Sequence, residues 1–193
     1  MKFITILFTF LLMTASTIFA QTKPAELTAV AKLDLDRYAG KWFEIAKYPN
    51  RFQKQCVGNT TATYTLKPNR RIEVANECLK KDGTTERAVG EAKIPNKGDN
   101  AKLKVRFAPK FISILPFVWA NYWVIELADD YSYAVIGEPG RDYFWILARK
   151  PTMDDATYQG ILRRAEAKGF QPARVEKTPQ NVEALKGSVI VKN

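Results

Sequence analysis

Thr60-Thr61-Ala62-Thr63-Tyr64-Thr65-Leu66 leads through Lys67-Pro68-Asn69-Arg70-Arg71 into Ile72-Glu73-Val74-Ala75-Asn76-Glu77-Cys78. Its hydrophobic period is two. Ala62, Tyr64 and Leu66 share one side of the first run, with threonines on the other. In the second run Ile72, Val74, Asn76 and Cys78 share a side opposite Glu73 and Glu77. Two half-buried strands joined by a Pro-Asn turn predict a β-hairpin. The pattern continues in both directions. Arg87–Ile94 turns Ala88, Gly90, Ala92 and Ile94 inward, and Leu103, Val105 and Phe107 then oppose Lys102, Lys104 and Arg106. Asn121–Leu127, Tyr131–Gly137 and Tyr143–Arg149 add three aromatic-rich strands, and Lys41–Lys47 brings the count to eight. Turn signals roughly every eight to twelve residues favour meander order. The expected fold is all-β: an eight-stranded up-and-down antiparallel barrel, a size that encloses room for one small ligand. One α-helix follows over about 152–168 and packs on the outside. Tyr158, Ile161, Leu162 and Ala165 recur on one face, Thr152 is the expected cap with Asp155 at the third helical position, and Gly169 is the stop.

The size of the inward residues bears on function. A filled barrel needs bulk throughout, whereas Ala62, Ala88, Gly90 and Ala92 are small and leave room along one wall. Asn76 also points inward, where its amide needs a partner from protein, water or ligand. A packed barrel with Asn76 bonded to neighbouring backbone is the alternative.

Composition narrows the chemistry further. The 193 residues are 46% apolar and 26% charged, enough for one core and too evenly mixed for disorder or a multi-span membrane protein. There is no histidine, which removes Ser-His-Asp and Cys-His mechanisms, imidazole-ligated zinc or haem, and an H-E-x-x-H protease. Two cysteines cannot form a four-thiolate site, so neither a metal nor a cofactor is expected. The net charge is +10, but the basic residues are scattered without a nucleic-acid motif. An anionic membrane surface suits them better, at about 1 kcal/mol per suitably placed basic residue.

Met1-Lys2 precedes the apolar, uncharged run Phe3–Met13, which relaxes into Thr14-Ala15-Ser16-Thr17-Ile18-Phe19-Ala20. Residues 1–20 read as a secretory signal peptide, so the protein is expected to be exported: periplasmic or outer-membrane associated in a bacterial host. No cysteine follows the run to carry a lipid anchor. A polar leader at 21–32, a barrel domain at 33–177 and a tail at 178–193 complete the expected organisation.

Three segments resemble the signatures of the lipocalin family, in the expected order. Gly40-Lys41-Trp42-Phe43-Glu44-Ile45-Ala46 resembles the Gly-x-Trp segment of the first strand, Asp129-Asp130-Tyr131 the Thr-Asp-Tyr turn, and Trp145-Ile146-Leu147-Ala148-Arg149 the last strand with its arginine. Their wording is most similar to the group of bacterial outer-membrane lipocalins, apolipoprotein D and plant temperature-induced lipocalins. The resemblance implies a calyx for fatty acids, lysophospholipids or similar amphiphiles, used in membrane maintenance under stress. It implies ligand contact for Tyr64, Asn76, Tyr122 and Trp145, the first two already turned inward by alternation. The expected mechanism buries an acyl chain against the inward Ala88, Gly90, Ala92, Val105 and Phe107, with the polar head near the mouth on Tyr, Asn or Lys groups. Gly40, Trp42, Asp130, Tyr131 and Arg149 are expected to be structural, Arg149 lying flat on the Trp42 ring at the closed end.

Two features depart from that pattern. Apolipoprotein D ties its counterpart of Cys56 to a C-terminal tail; the tail here has no cysteine, leaving Cys78 as the candidate partner. If Leu66 pairs with Ile72, Cys56 lies four residues beyond the position facing Cys78, and a disulfide forms only if Val57-Gly58-Asn59 folds back. The segment Phe111–Trp119 is strongly apolar where a polar loop belongs, making Leu115, Phe117 and Trp119 candidates for a membrane contact, a homodimer contact or a lid, against the alternative of a strand end tucked on the barrel. Binding is the leading class. A lipocalin-type enzyme using an inward Cys78 thiol, and a barrel serving as a scaffold for protein interaction, are the alternatives.

Overall fold

Eight antiparallel strands close into a barrel in the computed structural model, which describes residues 25–96, 98–108, 115–185 and 188–191. The expected signal peptide and Phe111–Ile114 of the apolar segment lie outside the described residues. The strands are β1 (Gly40–Lys47), β2 (Cys56–Leu66), β3 (Ile72–Lys80), β4 (Thr85–Lys93), β5 (Lys102–Arg106), β6 (Ala120–Leu127), β7 (Tyr133–Gly137) and β8 (Phe144–Ala148). Each pairs with the next, and β1 closes the ring by pairing with both β8 and β2. The hairpin has the register read from the sequence, Leu66 opposite Ile72 and Ala62 opposite Asn76. It continues into β4 with Asn76 opposite Ala88 and Ile72 opposite Ala92. The inward side chains form one core with Trp42, Tyr64, Val74, Leu103, Val124, Ile136 and Leu147.

Local differences from the sequence reading have identifiable causes. β7 begins at Tyr133, because Tyr131 sits in the turn at φ +62°. β2 begins at Cys56 and absorbs two register shifts, between Cys56 and Gly58 and between Gly58 and Thr61, with Asn59 at φ +51°. These bulges swallow the excess length, so Cys56 and Cys78 come to a Cα separation of 5.6 Å and are bonded.

A second core lies between the barrel and α2 (Asp155–Ala167), where Tyr158, Ile161 and Ala165 pack on Ile45, Val135, Phe144 and Ile146. The cap is Asp154, not Thr152: its carboxylate accepts from Thr157 N at 2.8 Å, which depresses its pKa, and the negative charge also suits the helix N-terminus. Gly169, at φ +86°, follows the end of the helix. The leader carries core residues as well. Leu27 is buried in the second core, and Val30 N donates to Val124 O at 2.8 Å.

The tail also belongs to the barrel. β1 and β2 pair only as far as Phe43 opposite Thr61, and β9 (Glu176–Lys177) takes over the vacated edge of β1. Across the gap, Thr178 N donates to Ile45 O at 2.9 Å, Asn59 N to Pro179 O at 2.7 Å, and Gln180 Nε2 to both Glu44 O and Thr60 O at 2.6 and 2.9 Å. A short hairpin, β10 (Val182–Leu185) with β11 (Ser188–Val191), follows.

Candidate functional site

The closed end is built first, from α1 (Leu35–Tyr38), a helix capped by the Asp34 carboxylate. Four residues are too few to register as a hydrophobic period, so the sequence reading missed it. Arg149 lies 3.8 Å from the centre of the Trp42 ring and donates to Lys41 O at 2.9 Å, Arg37 O at 2.6 Å and Ala39 O at 2.9 Å. One guanidinium thus satisfies carbonyls at the end of α1 and covers the buried indole. Gly40, at φ +91°, lets the chain turn from α1 into β1 beside that guanidinium. On the other side of α1, Tyr131 Oη accepts from Asp34 N at 2.9 Å and Arg37 stacks 3.9 Å over the Tyr131 ring. The Ser132 hydroxyl and then its N–H, which donates to Asp130 Oδ1 at 2.9 Å, hold the Asp130 carboxyl below the usual range. Gly40, Trp42, Asp130, Tyr131 and Arg149 therefore form one floor.

Above the floor, Tyr122 Oη lies 2.7 Å from both Tyr38 Oη and Tyr64 Oη. Burial pushes the Tyr64 phenol up to about 12 and those of Tyr38 and Tyr122 well above their ordinary value, so all three are neutral at physiological pH. Tyr64 and Tyr122 thus sit deep, with their hydroxyls spent on one another, not at the mouth where a head group was expected. Some of the expected free volume is also occupied. Ala92 is buried in the core, and Phe107, one residue past the end of β5, lays its ring over Gly90 so closely that a Cβ there would meet Phe107 Cδ1 at 2.7 Å.

Openness begins one row higher. Ala88, and Ala120 opposite the inward Val105, are exposed, and Asn76 is half-buried with no side-chain hydrogen bond among the described residues. Polar groups that sequence reasoning missed gather at this neck. Glu44 and Lys47 pair across β8 with the inward Leu147 and Trp145 respectively, so both face the lumen side. The β1 bulge between Glu44 and Ala46 is what turns Lys47 inward, a change of face that strict alternation could not show. Glu44, 3% exposed, accepts from Gln53 Nε2 and Thr178 Oγ1, each at 2.6 Å. Burial raises its carboxyl pKa despite those bonds and nearby Lys47. Gln53 is itself fixed, its Oε1 accepting from Trp145 Nε1 at 3.1 Å and Asn50 Nδ2 at 2.7 Å. Trp145 stacks on Tyr143, with ring centres 5.8 Å apart. Thr60 Oγ1 is buried and, among the described residues, has no hydrogen-bond partner.

The remaining candidates divide. The Cys56–Cys78 bond leaves no free thiol on Cys78 for the nucleophile the enzymatic alternative requires. Phe117 is 79% exposed and Leu115 half-buried, but Trp119 is only 7% exposed, so its indole is tucked against the barrel and does not present a contact. Among the described residues, no acidic or cysteine cluster could hold a metal ion.

Comparison with known proteins agrees with this geometry. Residues 33–180 match the family described as lipocalin-like domain. The chain is 41% identical to temperature-induced lipocalin-1 of Arabidopsis thaliana over 162 residues, covering 83% of this chain and 86% of that protein. It is 34% identical to the outer membrane lipoprotein Blc of Escherichia coli K12 over 154 residues, covering 79% and 82%. Apolipoprotein D of Rattus norvegicus is 39% identical over 133 residues, covering 64% and 65%. Among solved structures, insecticyanin from the tobacco hornworm Manduca sexta superposes with a TM-score of 0.61 at 20% identity, over 81% of this chain and 85% of that one, a likeness of fold.

Proposed function

The chain belongs to the lipocalin family, and on that premise we propose that it binds and carries fatty acids, lysophospholipids or similar amphiphiles in the barrel, in membrane maintenance under stress. The observation that carries this reading is the change in character along the barrel axis. The floor is sealed, with Arg149 spent on three backbone carbonyls and the three tyrosine hydroxyls above it spent on one another. The neck offers a small exposed wall at Ala88 and a half-buried Asn76 amide with no hydrogen bond among the described residues. An acyl chain lying along Ala88, Val105 and Phe107 gains about 0.8 kcal/mol per methylene buried. The half-buried Asn76 amide then receives the polar end, with Lys47, whose ammonium lies 3.8 Å from Glu176, supplying positive charge nearby. The similarity to an outer membrane lipoprotein and to apolipoprotein D supports export and a lipid ligand. Native mass spectrometry of protein purified after export tests the reading. A co-purified fatty acid or lysophospholipid, displaced by a fluorescent fatty acid, is the expected result. An empty barrel that also fails to take up the probe refutes it and favours the scaffold alternative.

A further inference from the structure

The outer wall beside β5 carries a concentration of positive charge that the calyx does not use. Trp119 anchors it. Lys93 Nζ lies 4.1 Å from the centre of the indole, Arg106 5.0 Å and Arg71 5.6 Å, so one buried ring holds three cations in place. Lys104 lies directly opposite Lys93 in the β4–β5 ladder, on the same outer face. Against these four cations stands Glu91, which takes Arg71 at 2.9 Å and Arg106 at 3.7 Å. Lys93 and Lys104 have no ion pair with a described carboxylate. The crowding has a cost: burial first, then Arg71, Lys104 and Arg106, lowers the Lys93 pKa. Like charges gathered on rigid strands build a local positive potential. The cluster adjoins a groove of about 730 Å³ lined by Lys67, Arg71, Val89 and Phe107 and by two carboxylates, Glu73, paired with Lys67 at 2.8 Å, and Glu91. Exposed apolar groups lie in the groove and beside Trp119 in the chain. Phe117, two residues before the anchoring indole, is 79% exposed, and Val89 on the outer face of β4 is 53% exposed.

We infer that this wall is a docking surface for an anionic lipid bilayer, with Lys93, Lys104 and Arg71 on lipid phosphates, the buried Arg106 adding to the local potential from beneath, and Phe117 inserted among the acyl chains. Clustered lysine and arginine supply the electrostatic attraction, and a protruding aromatic supplies the apolar anchor. Trp119 is the scaffold that holds the cations, not the residue that enters the membrane. The inference stands apart from the calyx reading, because none of the four cations faces the lumen.

Co-sedimentation of the full-length mature protein with vesicles of phosphatidylcholine alone, and of phosphatidylcholine with about one-third phosphatidylglycerol, tests it. Binding is expected on the anionic vesicles only and should fall as salt is raised. Lys93→Glu with Lys104→Glu should weaken it at least tenfold, given the roughly fivefold worth of each well-placed cation. Phe117→Asp should weaken it severalfold. Lys81→Glu with Lys150→Glu, an equal change of net charge at exposed positions elsewhere, should cost less than threefold. Equal losses from the two charge-reversed pairs would mean that only net charge matters, and the inference falls. It falls equally if phosphatidylcholine vesicles bind as well as anionic ones. Free glycerol phosphate at millimolar concentration should not compete; if it does, the wall binds soluble phosphate and not a bilayer. Should the lysine pair fail to fold, Phe117→Asp and the comparison of the two vesicle types decide the matter alone.

Discussion

At the scale of single residues, two side chains carry more than their size suggests. Arg149 combines the stack on Trp42 with three donated hydrogen bonds to backbone carbonyls. Arg149→Leu removes all of them and should cost about 2–4 kcal/mol in urea unfolding. Arg149→Lys keeps the charge, but a single ammonium cannot replace a planar fork over an indole, so it should recover less than half of that loss. Near-complete rescue by lysine would show that charge alone matters. Glu44 acts in the opposite direction. Its carboxyl pKa is raised in the fold from the ordinary 4.5, chiefly by burial. The native state therefore holds the proton more tightly than the unfolded chain does. The resulting penalty is absent below about pH 4.5, grows as pH rises toward the folded value and then levels off. Glu44→Gln preserves both contacts, with its carbonyl accepting from Gln53 and its amide donating to the Thr178 hydroxyl. The variant should lose less stability than the parent between pH 4.5 and neutrality, measured as the difference of two urea midpoints. Depressed groups such as Asp130 and Asp154 impose the reverse trend, but both proteins share them, so the difference isolates Glu44. An unchanged difference across that pH range would mean that burial does not penalise Glu44.

At the scale of elements, the weak line of the barrel is the seam where β1 and β2 part. Gly58 lies there against the tail: a Cβ would meet Val182 Cγ2 at 2.5 Å and Pro179 O at 2.6 Å. Gly58→Ala should displace the strap and cost about 1–3 kcal/mol, with proteolysis beginning C-terminal to Lys177. Reducing the Cys56–Cys78 bond, which spans 22 residues, should cost about 3 kcal/mol by releasing loop entropy. Protease resistance equal to the parent's after Gly58→Ala would show that the strap does not depend on this contact. The seam also shows what the sequence could and could not reveal. Alternation over 60–78 contains the hairpin register, since each side chain's polarity reports its face. Bulges carry no such mark. They shift the register by inserting a residue of any kind, which is why the disulfide was open from the sequence and why Lys47 was unforeseen. The neck was legible only in part: Asn76, Ala88 and Trp145 were named from the sequence, but the polar groups around Glu44 were not, for a related reason. Gln53 and Thr178 reach Glu44 from distant parts of the chain, and neither belongs to a periodic run. The floor was legible because its members sit inside three local motifs.

At the scale of the molecule, the floor and the neck are separable, and that separation is testable. A ligand that binds only the folded barrel stabilises it by about 2.7 kcal/mol at a hundredfold excess over its Kd, which for a chain of this size raises Tm by roughly 5–11 °C. Arg149→Lys weakens the sealed end without touching Asn76, Trp145 or Lys47. It should lower the Tm of the free protein while leaving the ligand-induced rise intact. Asn76→Leu fills the neck with an apolar side chain and removes the unbonded amide. It should leave the free Tm unchanged or slightly higher, because no hydrogen bond among the described residues is lost, and should abolish most of the ligand-induced rise. Differential scanning calorimetry of the parent and both variants, each with and without a fatty acid or lysophospholipid, gives the comparison. If Arg149→Lys removes the ligand effect and Asn76→Leu spares it, the ligand lies at the closed end among the tyrosines, and the direction of the calyx has to be reversed.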